Sequence, residues 1–146
     1  MPRMRLTSVM ANQHVYDGCV NGRPIRLLLN FDDGRSLRLA VAGDGFGMVA
    51  DALPLDEPFD MDECGSVVVV DVTQSLFPRL RGADVIEVSS LRLEGQQVGV
   101  NLRICGGGDT HFWVDGDELF WGDDKALSAH EWLDGVAPAA AERVQV

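Results

Sequence analysis

The sequence predicts a mainly β fold: two pseudo-repeated three-strand antiparallel meanders, residues 15–48 and 88–121, forming a barrel or sandwich, with a short C-terminal helix. Three observations carry this. First, the second half repeats the first at an offset of 73 residues without a gap. Val15 falls on Val88, Gly22 on Gly95, Leu29 on Leu102, Gly34 on Gly107, Val41 on Val114 and Gly43-Asp44 on Gly116-Asp117. Second, short apolar runs and turn glycines alternate at the regular spacing of an all-β chain. Third, Leu37, Leu39 and Val41 alternate with Ser36, Arg38 and Ala40, the period of two expected of a strand with one buried face. Closing the two meanders on each other would also hide their edges.

The elements follow in order. Residues 1–12 show no clear period and read as a flexible N-terminus, so one β domain is expected over 13–135 and a loose tail over 136–146. The first strand, 14–20, ends at Asn21-Gly22, a pair that tolerates positive φ and favours a hairpin. Pro24 opens the second strand, 24–31, where its missing donor matters least. Asp32-Asp33-Gly34 turns the chain into the third strand, 36–42. The segment 48–63, rich in Asp, Glu and Pro, links the units, with 55–59 as loop. The valine run at 67–72 reads as a buried strand, and 75–82 as a helical turn or loop. Strands at 85–93, 98–105 and 110–114 form the second unit, extended by 119–121. A short helix is expected over 123–133, with Ser128 and Glu131 spaced as a capping box and Gly135 at its end.

Composition narrows the function classes. A chain of 146 residues can bury roughly 70% of its unfolded surface. No apolar run approaches the ~20 residues of a membrane helix. Basic residues near the start are not followed by an apolar stretch, so no secretory signal is expected and the cytoplasm is the default location. Cys19, Cys64 and Cys105 are scattered, odd in number and outside any Cys-x-x-Cys, which argues against a disulfide framework or zinc knuckle. The net charge is −11. No basic residue lies between Arg38 and Arg79, and from Cys105 to Glu142 the only Lys or Arg is Lys125. Such a field repels nucleic acid and anionic membranes, and attracts a basic partner.

Motif tests mostly exclude. A calcium loop starting at Asp115 would place Leu119, Phe120 and Ala126 where an oxygen ligand, Gly and Glu are required. Gly43-Asp44-Gly45-Phe46-Gly47 lacks the glycine of a dinucleotide fingerprint at Met48, and no Gly-Lys-Ser/Thr occurs. No nucleophile elbow is present. His14, His111 and His130 are scattered, and His111 reads as a surface residue if Phe112 points inward. No metal and no cofactor is therefore expected. Trp113, Trp121 and Trp132 gather in the last acidic segment. One of Phe112 and Trp113 should face outward, so Trp113 reads equally as core or as an interface anchor. Trp121 and Trp132 read as core rather than interface, in a ratio of roughly two to one.

The segment 98–104 together with 112–119, ending in Gly116-Asp117-Glu118-Leu119, resembles small uncharacterised bacterial all-β proteins with a Gly-Asp-Glu-Leu hairpin element. Asp60-Met61-Asp62-Glu63-Cys64-Gly65 before an apolar strand is similar to their middle section. Those proteins often have Asn where this chain has Asp115. Some are thought to be immunity proteins of polymorphic toxin systems, so the resemblance implies an interaction role. Charge and resemblance together predict a non-enzymatic binding protein that covers the basic active-site cleft of a toxin. Its expected contacts are Trp113, Asp115, Asp117, Glu118, Asp123 and Asp124. The alternative is a small-molecule or metal-binding β module with Asp44 and Asp117 on equivalent turns. A hydrolase comes third.

Overall fold

The computed structural model describes residues 4–43, 47–93, 95–130 and 142–145. The fold is mainly β, with antiparallel pairing and two short helices. Its contacts divide the chain into two compact units: Arg5–Ala40 with Ala50–Ala83, and Val41–Val49 with Met1–Met4 and Asp84–Val146. Among the described residues no helix is long and apolar enough to cross a membrane.

The first unit is organised around β1 (Met4–Tyr16). Where a flexible N-terminus was expected, this strand buries Met4, Leu6, Val9 and Ala11. The chain then turns at Asp17-Gly18, both at positive φ, into β2 (Cys19–Val20). The tight turn thus falls on Asp-Gly rather than on the expected Asn21-Gly22, because Asp-Gly suits the same left-handed geometry. β3 (Arg26–Phe31) pairs with β1 from Asn12↔Arg26 to Leu6↔Phe31. It buries Leu27, Leu29 and Phe31 in alternation. Asp33 closes the predicted Asp-Asp-Gly turn by accepting from the Arg35 backbone and guanidinium, and β4 (Ser36–Val41) follows. β5 (Met48–Asp51) ends in an Asp51 carboxylate that accepts two hydrogen bonds from Arg38, at 2.9 and 2.7 Å. That contact holds the Asp51 carboxyl below the usual carboxylate range.

Beyond the linking loop, β6 (Phe59–Asp60) pairs with β7 (Ser66–Asp71), and β7 pairs with β1. The valine run alternates rather than being uniformly buried: Val67 is inside while Val69 is 37% exposed. α1 (Thr73–Leu76) is a single turn that begins two residues before the helical turn or loop expected over 75–82. The Thr73 hydroxyl accepts from the Val9 backbone at 2.8 Å and donates to Asp71, which lowers the Asp71 carboxyl's pKa.

The second unit is an antiparallel ladder of β8 (Asp84–Leu93), β9 (Gln96–Ile104), β10 (Thr110–Asp115) and β11 (Glu118–Gly122). β12 (Glu142–Gln145) pairs with β8, so this part of the expected loose tail is strand. No barrel closes. In the second unit the chain leaves β11 into a helix instead of a further strand.

That helix, α2 (Asp124–Ala129), is shorter than expected, and its cap is Asp123 rather than Ser128. The Asp123 carboxylate accepts from the Ala126 N–H at 2.8 Å, satisfying one of the free donors of the first turn. His130 is the C-cap; Glu131, Leu133 and Gly135 lie outside the described residues.

One hairpin has the same pairing register in both halves of the chain. β3 pairs Leu27 with Leu39, and a shift of 73 gives Val100 and Phe112, which also pair. The preceding strand breaks the correspondence. Asn12↔Arg26 would map onto Val85 and Gly99, yet Gly99 pairs with Leu91. Asp44 lies outside the described residues, so its equivalence with Asp117 does too.

Candidate functional site

The chemistry-bearing residues of the second unit meet where α2 lies against β10. Three features of the sequence bring this about. Gly122 ends β11 with no side chain, and a Cβ there would lie 2.5 Å from the Ala126 Cβ. Asp123 then caps the helix, and Leu127 is buried in a cluster with Leu91, Val98 and Trp113. Val98 joins that cluster because a bulge between Leu91 and Arg92 on β8 places one extra residue on β9 and re-aims its side chain. Gly99, opposite Trp113, keeps the surface low, since a Cβ there would approach the Phe112 carbonyl oxygen to 2.4 Å.

Alternation on β10 sends His111, Trp113 and Asp115 to the face that α2 covers. His111 is fully buried, and its Nε2 lies 2.5 Å from Asp124 Oδ1 at the start of the helix. Asp115 lies 2.8 Å from Nε2 of His130 at the helix end. The two contacts are reciprocal: a strand imidazole meets a helix carboxylate, and a strand carboxylate meets a helix imidazole. A six-residue helix has little stability of its own, so these contacts and Leu127 hold it in place. The His130 ring also makes edge contacts with Trp113 and Phe120, with centroids 5.4 and 4.7 Å apart.

Asp109 completes a cluster. It precedes β10 by one residue, and its carboxylate, an imidazole nitrogen of His111 and the Asp124 carboxylate all lie within 4.8 Å of one another. Behind His111 a polar row crosses the sheet. Ser89, Asn101 and His111 are directly opposed on β8, β9 and β10, and all three are buried. Asn101 Nδ2 donates to Ser89 Oγ at 3.3 Å. Asn101 Oδ1, His111 Nδ1 and Trp113 Nε1 are buried with no hydrogen-bond partner among the described residues.

Several expectations change. His111 is a core residue, because α2 covers the face that an uncapped sheet would leave to water. Trp113 is 2% exposed, so it is no surface anchor; Phe112 on the opposite face is buried as well. Asp115 is drawn inward by His130, with 11% of its side chain exposed. Asp117, Glu118, Asp123 and Asp124 are exposed. Asp117 sits with Gly116 at the tip of the β10–β11 hairpin, both at positive φ. That accounts for the Gly-Asp pair as turn chemistry. Trp121 is half-buried, and Trp132 lies outside the described residues.

The Asp109–His111–Asp124 cluster was not read from the sequence. Its one local signal is Asp-x-His entering a strand after a glycine run.

No protein-family model matches the chain, and no curated protein or solved structure matches it.

Proposed function

We propose that this is a non-enzymatic cytoplasmic binding protein of the immunity class, which neutralises a bacterial toxin by laying an acidic face over the toxin's basic active-site cleft. The observation that carries the reading is the group of exposed carboxylates Asp117, Glu118, Asp123 and Asp124 at the hairpin tip and the helix start. They lie in a stretch whose only Lys or Arg is Lys125. Unscreened charge of one sign raises the association rate with a basic surface and disfavours nucleic acid and anionic membranes as partners. With Trp113 and Asp115 turned inward, these four acids are the contact set. Steering dominates the proposed mechanism, and aromatic anchoring does not contribute through Trp113.

The test pairs the protein with the C-terminal domain of the adjoining toxin gene. Co-expression should restore growth, and surface plasmon resonance should show association that slows as salt rises. The combined variant Asp117→Asn, Glu118→Gln, Asp123→Asn and Asp124→Asn should associate about tenfold more slowly at low salt and lose most of the salt dependence. Asn at position 123 still caps the helix. Unchanged rates in this variant would show that the acids serve solubility only.

A further inference from the structure

We propose that Asn21-Gly22 is a self-modifying site: backbone attack within the pair converts Asn21 to a mixture of Asp and isoaspartate, at a rate that the His14 imidazole sets by holding the Asn21 amide. The inference is independent of the docking proposal.

The pair is the chain's only Asn-Gly, and the tight turn it would suit is made by Asp17-Gly18 instead. Asn21-Gly22 therefore lies in the connection between β2 and β3, outside any strand, with both residues exposed. A Cβ at Gly22 would meet nothing within 4 Å, so the backbone there is open to approach. The Gly22 carbonyl accepts from Gln13 Nε2 at 3.2 Å, whereas its N–H donates to nothing among the described residues. That nitrogen is the nucleophile. Gly22 has no side chain to crowd it as it reaches the Asn21 side chain. Asn12, Asn30 and Asn101 lack this freedom. They lie within β1, β3 and β9, where strand pairing fixes the next backbone nitrogen, and they are followed by the bulkier Gln13, Phe31 and Leu102.

The reaction balances with water as the only co-reactant. A solvent base takes the Gly22 N–H proton, and the nitrogen's electron pair forms a bond to Asn21 Cγ. The Cγ–Nδ2 bond then breaks, and Nδ2 leaves as ammonia with a proton from water. Water opens the resulting cyclic imide at either carbonyl carbon. Breaking the bond from Cγ to the Gly22 nitrogen leaves Asp. Breaking the bond from the residue-21 carbonyl carbon to that nitrogen leaves isoaspartate, whose main chain runs through Cγ. Nothing is oxidised or reduced. His14 acts on the departure of Nδ2. Its Nε2 lies 2.6 Å from the Cys64 carbonyl oxygen, which can only accept, so Nε2 carries the proton. Nδ1 of the neutral ring is then an acceptor, and Asn21 Nδ2 donates to it at 3.0 Å. The Asn21 backbone N–H also donates to the His14 carbonyl, at 2.9 Å. The amide is thus tied at its leaving nitrogen, and Nδ1 has no proton to give that nitrogen. Ring closure has to break this hydrogen bond, so His14 slows the reaction as a positioning residue.

Incubating the full chain in ¹⁸O-labelled water near neutral pH, with samples taken over weeks, tests this. Tandem mass spectrometry of the tryptic peptide spanning 6–26 should place the conversion at Asn21, with one ¹⁸O in the new carboxyl group. Conversion should be at least tenfold faster there than at Asn12, Asn30 or Asn101, and chromatography should separate two products, Asp and isoaspartate. His14→Phe should speed conversion at least twofold and leave the circular dichroism spectrum unchanged. In the parent protein the Asn21 Nδ2 protons should exchange with solvent at least threefold more slowly than those of free asparagine. Conversion no faster at Asn21 than at the other three asparagines would overturn the proposal. So would Asp as the sole product, because water then attacks Cγ directly and Gly22 takes no part. An unchanged rate in the folded His14→Phe variant, or Nδ2 protons that exchange as freely as in asparagine, would overturn the role assigned to His14.

Discussion

Replacing Trp113 should unsettle the second unit far more than any surface change. The indole is 2% exposed and packs against Leu91, Val98, Leu127 and Phe120. A buried indole removes about 150–250 Å² from water. At roughly 25 cal/mol per Å² that is about 4–6 kcal/mol. Trp→Ala substitutions in cores cost about 3–5 kcal/mol. Trp113→Ala is therefore expected to lose about 4 kcal/mol, a large share of the ~5–15 kcal/mol that a domain has. Trp113→Phe is a sharper test. It gives up about a third of the ring area, on the order of 1–2 kcal/mol. It also removes a buried Nε1–H with no partner among the described residues, and such a group costs about 1–3 kcal/mol. The two effects oppose each other, so the Phe variant should lie within about 1 kcal/mol of the parent protein. Urea unfolding followed by far-ultraviolet circular dichroism measures both. With a slope near 2 kcal/mol per molar, the Ala variant should unfold about 2 M earlier. An Ala variant within 1 kcal/mol of the parent would refute the buried placement of the indole. A Phe variant as unstable as the Ala variant would show that Nε1 makes a hydrogen bond.

Two further outcomes are expected. Asp123→Ala should destabilise by about 1 kcal/mol through loss of the helix cap, while Asp123→Asn should stay within a few tenths, read from urea midpoints; equal losses would contradict the capping role. Hydrogen bonds lower the Asp51 and Asp71 carboxyls below their unfolded values. Their stabilisation is therefore present above the unfolded carboxylate pKa near 4 and is lost as pH falls through the lowered folded values. Urea midpoints between pH 7 and pH 2 should fall at the acid end, and less steeply in Asp71→Asn.

How much was legible follows from periodicity. β3 alternates cleanly between apolar and half-buried positions, and the Asp-Asp-Gly turn that follows it is local chemistry, so both were readable. β1 was not. A register shift between Leu6 and Ser8 breaks its period of two, and the buried positions include Asn12 and Gln13, which a hydrophobic pattern cannot flag. The helix cap was misplaced because Ser128 and Glu131 satisfy a spacing rule, while only the fold shows Asp123 aimed at Ala126. The candidate site was hidden for a related reason. His111 and Asp124 come from different elements, and their meeting depends on how α2 packs. The same packing buries Trp113, while Phe112 is buried on the opposite face of β10, where alternation alone exposes one of the two.

The outer edge of β7 bears on how the protein behaves at high concentration. Val68, Val69, Val70 and Asp71 pair with β1 on one side, and among the described strands nothing pairs with them on the other. A β-branched run at an open edge is a template for a second copy of itself. Asp71 at its end, the acidic stretch before it and a net charge of −11 keep such copies apart by repulsion. That protection is colloidal rather than structural. It fades as the solution approaches the isoelectric point near 4.5, so mild acid would bring edge-to-edge self-association before it brings unfolding.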